Sequence, residues 1–287
     1  MKILNKLLTL ITTASVLLMT ACGGEAAINT ESEVSSDSPV TPYSVECYNV
    51  GKGDSFLITT DSSAVLVDTG YKENGDDIVE DIKNKGIKKL DMLIISHFDK
   101  DHVGGAAKVV KHIPIDRVLT PYQVKDSKRT EKFYENMQNA EINDETLTED
   151  TTIELDGLTY DFYPAEKTSY SDKASNNSSL AVRVTNGKIS MLFTGDAETE
   201  RLAELTKKNL KSTILKVPYH GHMQDGLAEF LKSVHPSYSV ITSSIDEPES
   251  TTVLAMLKKI SCENYLTRNG KVVFNITDTA AVTQVTE

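Results

Sequence analysis

The sequence predicts an α/β protein in which two β-sheets pack together with helices on the outside. Three observations carry this expectation. Short β-branched or aromatic runs crowd the first third of the chain, strand-like and helix-like runs alternate in the last third, and Gly, Ser, Asp and Asn turn signals separate them throughout. Periodicity alone leaves other α/β layouts open.

The early strand runs are YSVECYNV at 43–50, DSFLITT at 54–60 and AVLVDTG at 64–70. A helix follows over residues 76–86. Asp76 or Asp77 caps it, Ile78, Val79 and Ile82 form its apolar face, and Gly86 suits the left-handed position past its end. LDMLIIS at 90–96 reads as a buried strand, GGAAKVVKHI at 104–113 as a helix and residues 129–139 as a polar helix. TIELDGLTYDFYP at 152–164 is a hairpin pivoting on Asp156-Gly157, and Asn186-Gly187 turns a second hairpin between SLAVRVT and ISMLFTGD. Then come helix ETERLAELTKKNL, strand STILKVPYHG, helix LAEFLKSV, strand YSVITSS, helix TTVLAMLKKI and a closing hairpin, YLTRNGKVVFNI at 265–276.

The N-terminus belongs to targeting rather than to the fold. Lys2 and Lys6 precede an apolar stretch at 7–19 and the small-residue site Thr20-Ala21-Cys22, the pattern of an export signal over residues 1–21. The apolar run is shorter than the roughly 20 residues a bilayer span needs. A cysteine directly after small residues resembles a bacterial lipobox. That likeness implies Cys22 as the lipidated first residue of an extracytoplasmic protein anchored to the cell membrane. Residues 22–42 are small, polar and acidic without periodicity, as a flexible tether is. Residues 43–287 are expected to form one domain with a substantial core, since no second linker or internal repeat interrupts them.

Composition excludes some functions. The net charge is −12, and removal of residues 1–21, which carry two lysines and no acid, makes it −14. This argues against a general polyanion-binding surface. Cys47 and Cys262 lack the spacing of a zinc finger or redox motif, so two buried, unpaired thiols is the preferred reading and a single bridge the alternative. There is no phosphate-cradling glycine loop and no G-x-S-x-G elbow.

The chemistry concentrates in SHFDKDHVGG at 96–105, which puts His97, Asp99, Asp101 and His102 in one loop after the apolar strand. Carboxylates crowded this way repel one another and lose solvation unless a cation sits among them. No packing or capping role needs all four. Three further signals also end expected strands: Asp68 in VLVDTG, Asp196 in LFTGDAE and His220 in VPYHG. Each has a plainer reading by itself, Asp68 as a turn residue, Asp196 as a helix cap and His220 as a structural histidine. Together they form the imidazole and carboxylate set of a catalytic zinc or manganese site, which keeps a position open for water.

The order VDTG, H-x-D-x-D-H, TGD and a late strand ending in histidine resembles the metallo-β-lactamase superfamily, and so implies an αββα sandwich. More narrowly, VGKGDSFLI at 50–58, SHFDKDHVGG, NNSSLAVRV at 176–184, LFTGDAE and LKVPYHG are similar to the metallo-β-lactamase-type domain of ComEC-type DNA-uptake proteins, over nearly all of residues 43–280. The resemblance implies one metal near His97 and Asp99, a second near Asp101, His102 and His220, Asp196 bridging them, and Asp68 orienting a ligand histidine. Two departures stand out. Superfamily members usually supply another histidine before the bridging aspartate, whereas this chain offers SNNSSL, so Asn176 or Asn177 completes the first site or it is weak or empty. The usual His-His-Gly-Ser is replaced by Tyr219, His220, Gly221 and His222, where Tyr219 is a substrate contact and His222 either a ligand, a proton-transfer group or an exposed loop residue.

One or two divalent ions at such a site lower the pKa of bound water, and a pair suits phosphodiester cleavage. The expectation is an extracytoplasmic metal-dependent hydrolase, first a phosphodiesterase acting on nucleic acid or a cell-envelope phosphodiester, with Asp101 and His220 in the catalytic centre. Two alternatives remain. One is a lipid-anchored binding protein with a degenerate metal site that handles DNA or an envelope polymer. The other is a lactam hydrolase, disfavoured by Asp99 where many lactamases carry histidine.

Overall fold

The computed structural model describes residues 40–171 and 174–285; the export signal, Cys22 and the tether through residue 39 lie outside the described residues. The first half of the chain gives β1 (Tyr43–Cys47), β2 (Phe56–Thr59), β3 (Ala64–Val67), α1 (Asn74–Asn84), β4 (Leu90–Ile94), α2 (Ala106–His112), β5 (Ile115–Pro121), α3 (Lys128–Asn139) and β6 (Asp144–Leu147). The second half gives β7 (Thr151–Leu155), β8 (Leu158–Tyr163), α4 (Ala174–Asn177), β9 (Ala181–Thr185), β10 (Ser190–Phe193), α5 (Thr199–Leu205), β11 (Ile214–Lys216), α6 (Leu227–Val234), β12 (Tyr238–Ile241), α7 (Thr251–Lys259), β13 (Glu263–Leu266), β14 (Lys271–Ile276) and β15 (Ala280–Val285).

The strands form two sheets, in the orders β15-β14-β1-β2-β3-β4-β5-β6 and β13-β12-β11-β10-β9-β8-β7. Each is antiparallel on one side and parallel on the other, the parallel runs being β3 to β6 and β10 to β13. Parallel neighbours need a crossover, and the helices α1, α2, α3, α5, α6 and α7 supply it. Three apolar layers result. Val45, Phe56, Ile58, Val67 and Ile94 of one sheet face Tyr160, Phe162, Val182, Met191 and Phe193 of the other. The Phe56 and Phe193 rings meet across this layer at 5.0 Å. Leu57, Leu66 and Leu93 point to the opposite face, against Ile78, Ile82, Val109 and Phe133 of α1 to α3. Leu192, Leu215 and Ile241 do the same against Leu202, Phe230 and Leu257 of α5 to α7. The two-residue period of a strand produces this split, and the result is the expected αββα sandwich. Truncating Phe56 to Ala would open a void in the central layer at a cost of about 3–5 kcal/mol.

Local signals held at several turns. Asp156 and Gly157 both have positive φ, at 48° and 75°, as a type I′ hairpin requires. Gly86 lies past the end of α1 with φ 77°. Other expectations need correction. Glu73, not Asp76 or Asp77, occupies the cap of α1 and makes no side-chain cap bond, and the two aspartates lie in the first turn, where the helix dipole favours them. The segment 265–276 is not a hairpin: β13 pairs with β12 in the second sheet, whereas β14 pairs with β1 in the first. A short 3-10 turn, Thr267–Asn269, and Gly270 at φ 118° carry the chain between the sheets. Cys47 and Cys262 are both buried free thiols. No helix among the described residues is long and apolar enough to cross a membrane.

Candidate metal centre

The parallel halves of both sheets end at the same edge, where a rigid frame can aim loop side chains at one point. Asp68 follows β3, His97 to His102 follow β4, Asp196 follows β10, and His220 follows β11. Asp101, His102, Asp196 and His220 each bring a ligand atom into a group whose members all lie within 4.8 Å of one another. His220 Nε2 is 3.1 Å from Asp196 Oδ2 and 3.6 Å from Asp101 Oδ2, and His102 Nε2 is 3.4 Å from Asp196 Oδ1. Residues more than a hundred positions apart in sequence therefore converge.

The backbone is bent to achieve this. Tyr219, His220 and Gly221 have φ of 49°, 50° and 74°, three successive residues in the left-handed region, where a non-glycine side chain is strained. Asp68 is left-handed too, at φ 56°. A Cβ on Gly53 would come within 2.7 Å of the Asp101 carbonyl, so only glycine lets that loop lie against the ligand loop.

Hydrogen bonds fix the imidazoles of His97, His102 and His220 in the same tautomer. The Asp68 carboxylate can only accept, and its Oδ2 lies 2.8 Å from His102 Nδ1, so Nδ1 carries the proton. Ser96 Oγ donates to Asp68 Oδ2 at 2.5 Å and so accepts from His97 Nδ1 at 3.1 Å. Thr242 Oγ1 donates to Asp54 Oδ1 at 2.7 Å and accepts from His220 Nδ1 at 3.0 Å. In the neutral rings all three Nε2 lone pairs thus face the cluster, where His97 Nε2, His102 Nε2, His220 Nε2 and Asp196 Oδ1 are buried without a well-aligned hydrogen-bond partner, His102 and His220 meeting only the carboxylates of Asp196 and Asp101. Such orphaned acceptors are what a divalent cation requires.

Electrostatics point the same way. Asp54, Asp68, Asp101 and Asp196 are at most 6% exposed, and Lys216, wholly buried, is the permanent cation among them, so neutral imidazoles leave three negative charges uncompensated. Burial alone would lower the pKa of His102, but Asp196, Asp68 and Asp54 outweigh it and raise it well above the ordinary value. His220 is raised in the same way, burial being outweighed chiefly by Asp196. Burial would raise Asp196, yet His220 and His102 hold it well below the carboxylate range. His97 is pushed down to about 4 by burial and by the neighbouring His102. Without a cation, protons hold this cluster together; the donor set and its free lone pairs fit a divalent ion.

The remaining expected residues divide. Asp99 is drawn away: Lys125 Nζ donates to its Oδ1 at 2.8 Å, and Ser175 Oγ donates to the same oxygen. Asn176 lines the cleft and donates to Glu198 at 2.6 Å, whereas Asn177 accepts from the backbone of Arg201 on α5. Tyr219 lines the cleft and its ring lies 5.1 Å from that of His222, which is partly exposed beside it.

Two residues at the heart of the site, Lys216 and Asp54, are not among those the sequence motifs single out. Lys216 Nζ lies 2.7 Å from Asp54 Oδ2 and 3.5 Å from Asp196 Oδ1, and it donates to the Gly195 carbonyl at 3.0 Å. Asp54 in turn holds Thr242, and through it His220. A signal was present: Lys216 shares its strand face with Ile214, which faces the central layer, and a lysine there needs a buried acid.

Over the cluster opens a cleft of about 760 Å³ whose rim carries Lys52, Lys100, Lys125 and Arg129. Fold and site define a class: the family profile described as the metallo-beta-lactamase superfamily matches residues 48–242, and the chain belongs to that superfamily, in general metal-dependent hydrolases. Within it the chain is 27% identical over 219 residues to ComE operon protein 3 of Bacillus subtilis, covering 69% of this chain and 28% of that protein. It is 30% identical over 212 residues to competence protein ComA of Neisseria gonorrhoeae, covering 71% and 28%. The chain therefore spans little more than a quarter of the length of these relatives. The metallo-beta-lactamase fold protein YhfI from Bacillus subtilis superposes with a TM-score of 0.55 at 14% identity over 82% of this chain and 100% of that one, a likeness of fold.

Proposed function

We propose that this protein is an extracytoplasmic, lipid-anchored phosphodiesterase that uses one or two divalent ions, zinc or manganese, to cleave nucleic acid or a cell-envelope phosphodiester. One observation carries the reading: a buried cluster of four mutually close ligand residues reaches, through Asp101 and Asp196, a cleft whose lining includes four cationic side chains, in a protein of net charge −12. An anionic substrate is drawn to such a rim. Asp101, His102, Asp196 and His220 would hold the ion, and His97, whose ring centroid lies 4.0 Å from that of His102, offers a further nitrogen. When bound, the ion supplies Lewis acidity and brings the pKa of water toward neutrality.

The protein's own groups do the rest. Asp68 keeps the His102 proton on Nδ1, and the chain Lys216, Asp54, Thr242 does the same for His220, so both present lone pairs without rearrangement. Lys52, Lys100 and Arg129 position the nonbridging oxygens of the substrate, and Tyr219 lies at the mouth as a contact for its leaving portion. The competence names of the two relatives support a substrate of nucleic-acid type. The export pattern of residues 1–22 supports the location and the lipid on Cys22.

The test is turnover of bis(p-nitrophenyl) phosphate and single-stranded DNA by protein stripped with a chelator and reloaded with zinc or manganese. Turnover that returns with metal and vanishes in Asp101→Asn is expected. Its absence removes the enzyme. A second reading, a binding protein with a degenerate site, is favoured by one observation, the capture of Asp99 by Lys125 and Ser175. Tight DNA retention without metal-dependent turnover would select it, and nitrocefin hydrolysis would select a lactam hydrolase.

A further inference from the structure

A second basic region lies outside the metal centre. Between α2, α3 and the loop before α1 runs a groove of about 800 Å³ lined by Lys72, Lys108, Lys111, Lys128, Arg129 and Lys132, with Asp76 as its one acid. Asp76 pairs with Lys108 at 2.6 Å, and Lys132 pairs with Glu135 at 2.8 Å. Lys72, Lys111, Lys128 and Arg129 are exposed and have no acidic partner among the described residues. In a chain with 42 acids and 30 bases, a groove with six cations and one acid is a local reversal of sign.

Local stability does not explain it. Lys128 and Arg129 are the first two residues of α3, where the positive end of the helix dipole disfavours cations. Arg129 also lines the cleft over the metal-ligand cluster, so cleft and groove meet along one side chain. No Phe or Tyr lines the groove and His112 is the single ring in its lining, so cations for a charged backbone outweigh stacking surface for bases. A ring for a base is offered instead in the cleft, by Tyr219.

We propose that this groove holds the phosphodiester backbone of a single-stranded nucleic acid beyond the linkage that reaches the metal centre, with Arg129 as the junction. The proposal rests on the phosphodiesterase reading for what occurs in the cleft. It makes the protein a reader of polymer substrates, independent of base sequence, in which a small phosphodiester engages the cleft alone.

The experiment measures binding of a fluorescein-labelled 30-nucleotide single strand to the full chain by anisotropy, in EDTA, between 50 and 200 mM salt. Lys111→Glu with Lys128→Glu should weaken binding at least about tenfold and lower the salt slope by about 1.4, the loss of two single-strand phosphate contacts. A matched pair on another surface, Lys188→Glu with Lys259→Glu, should leave the slope unchanged. Glu at position 128 suits the start of a helix, so a retained melting temperature in the groove variant separates lost contacts from lost fold. Equal losses in both pairs, or none in the groove pair, overturn the proposal. Displacement of the oligonucleotide by poly(glycerol phosphate) at equal phosphate concentration overturns nucleic acid as the occupant, and failure to displace supports it. Because no turnover occurs in EDTA, a protein that cleaves bis(p-nitrophenyl) phosphate but fails this test loses only the groove.

Discussion

The two flanks of the candidate metal centre are built on opposite terms. On one, Asp101, His102, Asp196 and His220 are buried, preoriented by Asp68, Asp54 and Thr242, and left with free lone pairs. On the other, His97 has a free Nε2, but its expected companion Asp99 is held by the half-exposed Lys125. A cation would meet a finished tetrad on the first flank. On the second it would have to displace an ammonium from Asp99. The difference teaches that clustered ligand residues in sequence need not be equal ligands in space, because one surface lysine can redirect a carboxylate.

The comparison can be broken most directly at Asp196 and His220. Asp196→Ala or His220→Ala should remove the tight metal equivalent, read by elemental analysis after dialysis, and lower turnover by more than the roughly 10–100-fold typical of groups that merely orient ligands. Asp99→Asn should leave that equivalent in place; equal loss of metal in the two variants would erase the asymmetry. Next in size is Lys216→Met. It leaves Asp54 buried without its cation, which should destabilise the fold by about 3–5 kcal/mol in urea unfolding.

pH sharpens the same contrast. The folded pKa values of His102 and His220 are raised above 6.5 in the metal-free protein. Their protonation therefore adds stability that is complete below pH 6.5 and lost as pH rises through the folded values. A cation needs those same nitrogens unprotonated. Metal-free protein should thus melt lower as pH rises above 6.5, while the gain in melting temperature on adding zinc grows. A zinc gain that shrank with pH would place the ion elsewhere. The smallest effect belongs to Lys125→Ala. Its ion pair is exposed, so stability should shift by less than about 1 kcal/mol. Freeing Asp99 should, however, strengthen binding of a second metal equivalent in titration calorimetry.

Much of this was legible in the sequence, because buried parallel strands read as short apolar runs and ligand residues follow them directly. The strands LDMLIIS and ISMLFTGD and the residues after them needed no tertiary information. What was missed depended on distant partners. β5 and β6 escaped notice: β6 is polar, DETL, and is recognisable only by its parallel pairing with β5. β15 alternates between half-buried and exposed residues and is a strand only because β14 lies beside it. The 265–276 segment looked like a hairpin since Asn269-Gly270 is a turn pair, yet which sheet each arm joins is set by β12 and β1. Asp54 sat in GKGDS like an ordinary turn residue, and its worth emerges only when Lys216 and Thr242 arrive from the other half of the chain.

The crossing after β13 has a consequence for anyone cutting the protein into pieces. Strand β14 lies between β1 and β15, and β13 closes the second sheet beside β12; β1, β13, β14 and β15 fall outside the 48–242 stretch that matches the family, whereas β12 falls within it. A fragment trimmed to that stretch would keep every ligand residue and still present two raw sheet margins, at β2 and β12, each a template for another copy. Soluble fragments should therefore retain both β1 and everything through β15.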